Sequence, residues 1–216
     1  MSQVTAPISH ADRFYIGGQW VAPSSDAQIN VIDSDTEQLY FTVPEAQAAD
    51  IDRAVTAAKE AFDNGPWRWL SHQQRADYLR ALGAELQKRA DAIGQIWPRE
   101  AGVLHRIAQY GGAGAGQTFN AFAALADTYQ WEEPAKPSAG QFGLLVREPV
   151  GVVGAIIPWN GPMGLISNKV APALLAGCTV ILKNSPEAPG EGYLLAEAAE
   201  AVGLPAGVLN VVTADR

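Results

Sequence analysis

Cysteine, histidine and long apolar runs are scarce in this sequence of 216 residues. The one cysteine is Cys178, and the three histidines are His10, His72 and His105. A single cysteine excludes an internal disulfide framework and fits a reducing compartment. The histidines are scattered and share no metal-ligand spacing, so we expect no metal site.

Positive charge is also in short supply. Lys and Arg together number 15 against 23 Asp and Glu, which gives a net charge of -8 and a pI near 4.8. This acidic excess would repel phosphate backbones and anionic lipids, so nucleic-acid and membrane partners are not expected. No apolar run reaches transmembrane length, and the amino terminus lacks the basic start and apolar centre of a signal peptide. We therefore expect a cytoplasmic location.

The first half of the chain predicts a small β region followed by helices. Residues 14–21 surround Gly17-Gly18 and predict a hairpin, and residues 29–32 and 39–43 can continue a small sheet. Apolar spacing predicts a helix over residues 48–62, with Ile51, Val55, Ala58 and Phe62 on its buried face. We expect Trp67 and Trp69 to pack in the core.

Two further helices are predicted by their local signals. Ser71 and Gln74 form a capping box, and Tyr78, Leu79, Leu82 and Leu86 line one face of the helix that it begins. Another helical segment, near residues 91–97, is expected to end at Pro98.

A run of glycines at residues 111–116 invites a phosphate-loop interpretation. The spacing does not give G-x-G-x-x-G, because Gln117 stands where a third glycine is needed, and no strand precedes the run. We expect these glycines to allow close helix packing instead. Residues 132–140 are rich in proline and polar side chains and predict a turn or linker, with a strand following at residues 142–146.

The segment at residues 149–187 organises the rest of the chain. Residues 150–157 predict a strand buried on both faces of a parallel sheet, ended by Pro158. Asn160 is a plausible N-cap with Pro162 in the first helical turn, and Gly177 ends that helix. Further elements are predicted as a strand at 179–183, a helix at 191–202 and a strand at 208–212. The order βαβαβ is one half of a doubly wound sheet, whose ligands lie beyond the carboxyl ends of the strands.

Three motifs here carry a resemblance to a known family. They read REPVGVVGAIIPWN, NKVAPALLAGCTVILK and GLPAGVLNVV, in that order. From about residue 14 onward the chain is similar to the amino-terminal part of NAD(P)-dependent aldehyde dehydrogenases. The resemblance implies an α/β fold with a parallel, doubly wound, Rossmann-like sheet, present here as its first half, βαβαβ, after helices and a small hairpin region. It implies domains at residues 1–131 (hairpin and helices), 132–149 (linker and oligomerisation-type strand) and 150–216 (incomplete dinucleotide-binding half).

The resemblance also implies a function. Members oxidise an aldehyde to a carboxylic acid through a covalent thiohemiacetal on cysteine, with hydride transfer to NAD or NADP. They are more than twice as long, and their glycine-rich phosphate turn, catalytic glutamate and catalytic cysteine would follow Arg216. We therefore expect an amino-terminal fragment that is inactive by itself. The alternative is a non-catalytic remnant that binds nucleotides or another subunit.

Asn160 is the implied catalytic residue, because the asparagine of the family's Pro-Trp-Asn motif donates its amide to the developing oxyanion. The implied cofactor-binding residues are Ile156, Ile157, Pro158, Trp159 and Asn160 after the first strand, and Lys183, Ser185, Pro186 and Glu187 after the second. Lys183 would bond the adenosine ribose. The alternatives are a helix N-cap for Asn160, core packing for Ile156 and Ile157, and a solvated lysine.

The sequence departs from the family pattern at Pro186. Many members place there a glutamate that binds both ribose hydroxyls and favours NAD, whereas this chain has its carboxylate one residue later, at Glu187. The choice between NAD and NADP therefore stays open. Cys178 precedes a strand, far from the ligand edge, and is expected to be a buried structural thiol.

Further expectations come from the resemblance alone. Lys169 matches a lysine near the active-site entrance. Gly161, Gly164 and Asn168 would line a wide aldehyde tunnel, and the strand at residues 142–146 belongs to a hairpin that reaches a neighbouring subunit. The full-length form would then be a homo-oligomer.

Overall fold

The computed structural model describes residues 5–215. The strands are β1 (Phe14–Ile16), β2 (Gln19–Val21), β3 (Gln28–Ile32), β4 (Leu39–Pro44), β5 (Glu132–Ala135), β6 (Gly143–Val146), β7 (Val152–Ile156), β8 (Thr179–Asn184) and β9 (Leu209–Thr213). The helices are α1 (Ala48–Asp63), α2 (His72–Lys88), α3 (Ala90–Ala101), α4 (His105–Ala108), α5 (Gly111–Thr128), α6 (Pro162–Leu175) and α7 (Gly190–Ala201), with a 3₁₀ turn at Trp67–Trp69. No helix among the described residues has both the length and the apolar character needed to cross a membrane.

The main sheet has five strands in the order β2-β1-β9-β8-β7. β7, β8 and β9 run parallel and are joined through α6 and α7, which confirms the predicted βαβαβ order. The hairpin β1–β2 is also confirmed, but it adds to the same sheet through an antiparallel contact between β1 and β9. The sheet is therefore mixed, while β3 and β4 form a hairpin of their own. The proposed domain boundaries stay a prediction.

β7 is the last strand of the sheet, and the prediction that it is buried on both faces is wrong. Val152 is 37% exposed and Ile156 is 67% exposed, whereas Ala155 is 2% exposed. The residues are apolar on both sides of the strand, which produced the prediction. The structure covers only one of those sides with helices.

Helices cover the two faces of the sheet unequally. On one face, side chains of α2, α5, α6 and α7 form the large core with Ala155, Leu182 and Val211. On the other face a smaller cluster joins α1 to Ile181 and Val212. Thr179 anchors α1, because its hydroxyl donates to the carbonyl of residue 58 at 2.9 Å. α1 therefore covers β8 and β9 and leaves the corresponding face of β7 open.

Several local predictions need correction. In α1 the fully buried positions are small, Ala54 and Ala58, while Val55 is 42% exposed, because the helix approaches the sheet closely. Trp67 is in the core as predicted, but Trp69 is 73% exposed. α3 continues through Pro98 to Ala101 and ends at Gly102, which has a left-handed φ of 67°.

Other predictions are confirmed. Ser71 accepts a hydrogen bond from Gln74 N, and Gln74 returns one to Ser71 N, so the capping box is present. The glycine run lies inside α5 and serves close packing: a Cβ at Gly112 would lie 2.6 Å from the Cα of Ala90, and one at Gly116 would lie 2.5 Å from Gln87 Nε2.

The predicted linker at residues 132–140 is wrong in its first part. Residues 132–135 form β5, which pairs antiparallel with β6 and places Pro134 opposite Leu144. A proline is tolerated because this is an isolated two-stranded ribbon, in which each strand is an edge. The predicted strand at residues 142–146 is confirmed as β6.

Candidate functional site

The segments that follow β7 and β8 lie side by side at the carboxyl ends of these parallel strands. Ile156 and Lys183 pair directly in the parallel register, and Ile157 N donates to the carbonyl oxygen of Lys183 at 3.1 Å. Paired residues of parallel strands point to the same face, so Ile156 and Lys183 both lie on the face that α1 leaves open over β7. The structure thus brings the two predicted site segments together.

The turn after β7 projects into solvent. Pro158, Trp159 and Asn160 are all exposed, and Trp159 retains 50% exposure. Asn160 is not the N-cap of α6. The cap is Gly161, with Pro162 at the first helical position, so the amide of Asn160 is not used to begin the helix. Ile157, in contrast, is 3% exposed and belongs to the core.

The segment after β8 turns back on itself. Lys183 is half-buried, and no described residue forms a hydrogen bond or an ion pair with its ammonium group. Asn184 is buried and donates to Thr213 Oγ1, which ties the end of β8 to the end of β9. Residues 186–188 bend, and Ser185 Oγ donates a hydrogen bond to Glu187 Oε2.

A cleft of about 540 Å³ opens beside this bend. Its lining includes Pro186, Glu187 and residues of β3, together with Glu45, Glu100 and Asp215. Neither Lys183 nor Asn160 lines this cleft.

Two buried carboxyl groups near the site were missed from the sequence. Glu191 is 0% exposed, and its Oε2 accepts a hydrogen bond from Met163 N at 2.5 Å. Glu100 is 7% exposed, and its Oε1 accepts from Gly190 N at 2.9 Å. No spacing signal marks either residue, since Glu100 lies in the last turn of α3 and Glu191 looks like an ordinary acidic residue in a first helical turn.

Burial changes the protonation of both groups. Desolvation raises the pKa of Glu191 to about 8, although the hydrogen bond from Met163 N opposes the shift. The pKa of Glu100 is also raised well above its usual value, first by desolvation and then by the charge of Glu191. Each residue also has one buried oxygen that accepts no hydrogen bond within residues 5–215: Oε1 of Glu191 and Oε2 of Glu100.

The remaining candidates lie elsewhere. Cys178 is 3% exposed, so the prediction of a buried thiol is confirmed. It immediately precedes β8, at the amino end of that strand, whereas the site lies at the carboxyl end. His10 stacks on Trp20 and His72 stacks on Trp131 at 3.8 Å. In residues 5–215 no group of three His, Cys, Asp or Glu side chains has metal-binding geometry.

Comparison with known proteins assigns the family. The family model described as "Aldehyde dehydrogenase family" matches residues 20–216. Geranial dehydrogenase of Castellaniella defragrans is 41% identical over 211 residues, and lactaldehyde dehydrogenase of Escherichia coli is 34% identical over 209 residues. Each alignment covers 97% of this chain, but only 44% and 43% of the respective relative.

Solved structures agree with the sequence comparison. An aldehyde dehydrogenase of Mycobacterium tuberculosis complexed with NAD+ superimposes with a TM-score of 0.91 at 42% identity, over 97% of this chain and 43% of that one. A mutant of aldehyde dehydrogenase C of Pseudomonas syringae, complexed with NAD+ and octanal, gives 0.89 at 34% identity, over 97% and 42%. The chain spans about two-fifths of the length of the relatives it matches, and over that span it belongs to the aldehyde dehydrogenase family.

Proposed function

We propose that this chain is the amino-terminal part of an NAD(P)-dependent aldehyde dehydrogenase, which oxidises an aldehyde to a carboxylic acid. The observation that carries the proposal is the exposed turn Pro158-Trp159-Asn160 at the carboxyl end of β7, beside Lys183 at the end of β8. Ligands of doubly wound sheets bind at this edge. In this proposal the chain supplies one wall of the cofactor site and a hydrogen-bond donor for the reacting carbonyl.

The residues at this edge fit a dinucleotide. Val152, Gly154 and Ile156 form an open apolar row on β7, and a Cβ at Gly154 would meet no atom within 4 Å. A flat aromatic or aliphatic ligand surface can lie against such a row. Lys183 sits at the end of this row with its ammonium group unpaired among the described residues, so it can donate to ribose hydroxyls or meet a phosphate. The cofactor, when bound, would accept the hydride.

Asn160 is suited to stabilise developing negative charge. Its side chain is exposed and forms no hydrogen bond with the described residues, so its amide N–H groups are available to a ligand. It lies two residues before Pro162, where α6 begins, and the positive end of the helix dipole favours an anion in the same region. A fixed neutral donor of this kind typically stabilises a transition state by about 2.7–4 kcal/mol.

The nucleophile must come from outside the described chain. Cys178 is the one cysteine, and it is buried at the amino end of β8, where a substrate held at the carboxyl edge could not reach it. Loss of a nucleophile costs on the order of a millionfold in other covalent enzymes, which a single oxyanion donor does not compensate. We infer that the chain alone is inactive.

Location and assembly are part of the same proposal. The single buried thiol fits a cytoplasmic protein. A homo-oligomer is supported by β6 and the residue before it, because Phe142 is 74% exposed and Leu144, Leu145 and Val146 are 42–49% exposed. A ribbon with this much exposed apolar surface is suited to contact another subunit.

The test uses a chimeric enzyme, in which this chain is continued by the segment of geranial dehydrogenase that follows the aligned region. The chain alone and the chimeric enzyme are incubated with a panel of aldehydes and NAD or NADP, and the reduced-nicotinamide absorbance is followed. We expect turnover only in the chimeric enzyme. Cofactor binding without turnover by the chimeric enzyme would favour the non-catalytic alternative.

A further inference from the structure

Two carboxyl groups connect three helices behind the Pro158-Trp159-Asn160 turn. Glu100, near the end of α3, accepts from the first backbone N–H of α7 at Gly190. Glu191, the next residue of α7, accepts from Met163 N in the first turn of α6. Both carboxyl groups are buried, so each contact is shielded from competing water.

α6 needs this external contact because it has no cap of its own. Its N-cap, Gly161, has no side chain, and Pro162 at the first helical position has no N–H. Met163 therefore provides the first backbone donor of the helix, and it is 2% exposed, out of reach of solvent. An unpaired buried N–H would be destabilising, and the carboxyl group of Glu191 satisfies it.

We propose that Glu191 is a positioning residue: by capping α6 from α7, it fixes the backbone that carries Trp159 and Asn160 at the carboxyl edge of β7. The inference rests on the proposed function, because it assigns Asn160 as the group being positioned. Only Gly161 and Pro162 separate Asn160 from the capped residue Met163. A shift of the helix start therefore moves the amide of Asn160 directly.

The protonation state of Glu191 decides which substitution preserves the cap and which removes it. Its pKa of about 8 means that the carboxyl group is neutral at pH 7, so glutamine reproduces its size, neutral charge and acceptor oxygen. Leucine reproduces the size but has no acceptor. Glu100, on α3, is the titratable group whose pKa the charge of Glu191 raises, and it is kept unchanged in both variants.

The first measurement is hydrogen–deuterium exchange at single-residue resolution, on this chain and on the chimeric enzyme. Glu191→Leu should increase exchange at Met163 by at least about tenfold more than at Val170, a fully buried residue farther along the same helix. Glu191→Gln should leave the ratio of the two rates within about threefold of the parent. Equal changes at Met163 and Val170 in Glu191→Leu would overturn the cap.

The second measurement is steady-state kinetics of the chimeric enzyme. Glu191→Leu should lower kcat by at least about tenfold with less than about twofold change in KM for the cofactor, because the donor to the transition state is displaced while Lys183 is not. Glu191→Gln should restore the rate at pH 7. The matched control is Glu200→Gln, which should leave kcat unchanged. Glu200 is exposed on α7 and accepts a hydrogen bond from Trp20 Nε1 rather than from α6.

The outcomes separate the inference from the proposed function. If the parent chimeric enzyme is inactive while the exchange result holds, the proposed function fails and the cap stands. If the parent is active and Glu191→Leu frees Met163 without lowering kcat, Glu191 does not position Asn160 and the inference is overturned.

Discussion

Ser185 donates a hydrogen bond to the carboxylate of Glu187, the residue that follows Pro186. This contact keeps the carboxylate of Glu187 close to its own loop, beside a cleft that Lys183 does not line. A proline stands three residues after Lys183, at the position where many family members carry a ribose-binding glutamate. We expect this arrangement to decide the cofactor preference.

The chimeric enzyme should accept NADP at a rate comparable with NAD, because Lys183 would face the 2′-phosphate and no carboxylate stands at position 186. Pro186→Glu should shift the ratio of catalytic efficiencies toward NAD by at least about tenfold, or roughly 1.4 kcal/mol. The measurement is kcat/KM for both cofactors. Glu187→Gln is the control. If the parent rejected NADP and Glu187→Gln alone raised kcat/KM for NADP, Glu187 would be the residue that discriminates between the two cofactors.

Stability should fall as pH rises through the range set by Glu191. Its pKa is raised from 4.5 to about 8 in the folded protein, so between these values the unfolded state binds fewer protons than the folded state. The stabilising effect of the proton is fully present below about pH 4.5 and is lost by about pH 8, amounting to about 3–5 kcal/mol. Glu100 acts in the same direction.

Urea unfolding at low protein concentration across this range tests the effect. Glu191→Gln should flatten most of the slope, and Glu200→Gln, exposed on the same helix, should keep it. Burial lowers the pKa of His72, so this residue acts in the opposite direction below about pH 6.5, and the variant comparison isolates Glu191. A slope that Glu191→Gln leaves unchanged would contradict the prediction.

The chain alone should self-associate through β7, whose outer edge has no partner strand among the described residues. Unpaired backbone groups beside Val150, which is 90% exposed, make a template for another strand. Val152→Lys should increase the monomer fraction in light scattering coupled to size exclusion. Val55→Lys, a matched change at 42% exposure on α1, should not. A monodisperse parent monomer with a sharp cooperative melt would contradict the prediction.

The aldehyde tunnel should be wide near the start of α6. A Cβ at Gly161 or Gly164 would meet no atom within 4 Å, so neither position is filled by a neighbouring side chain of this chain. In the chimeric enzyme, Gly161→Phe should raise KM for bulky aldehydes more than for acetaldehyde, with Gly164→Ala as the small-change control. An equal effect on both substrates would place Gly161 outside the tunnel.

The sequence predicted the elements that have strong local signals. The capping box of Ser71 and Gln74, the hairpin at Gly17-Gly18 and the βαβαβ order follow from spacing and turn chemistry over short distances. The predictions that failed concern positions whose burial depends on residues far away in the sequence. Ile156 and Ile157 are alike in sequence, but one faces an open surface and the other the core, because helices cover one side of β7 only.

The same limit applies to the site. Asn160, Trp159 and Lys183 could be placed at one edge from the strand ends and the family motif. The cap that Glu191 provides to Met163 could not, because 28 residues separate the two and neither lies in a recognisable pattern. Pro98 shows the reverse case, in which a strong local signal was overridden by the packing of α3 and its end at Gly102.

In the proposed function, Asn160 stabilises the developing negative charge of a reacting aldehyde. The most direct test is kcat of the chimeric enzyme carrying Asn160→Ala. We predict a fall of about 10²–10³-fold with little change in KM for the cofactor. The control is Asn64→Ala, which should leave kcat unchanged. Asn64 follows α1 and lies near Ala206 and Gly207, at the amino end of β9 and so away from the carboxyl ends of the strands. An Asn160→Ala enzyme as fast as its parent would contradict the claim.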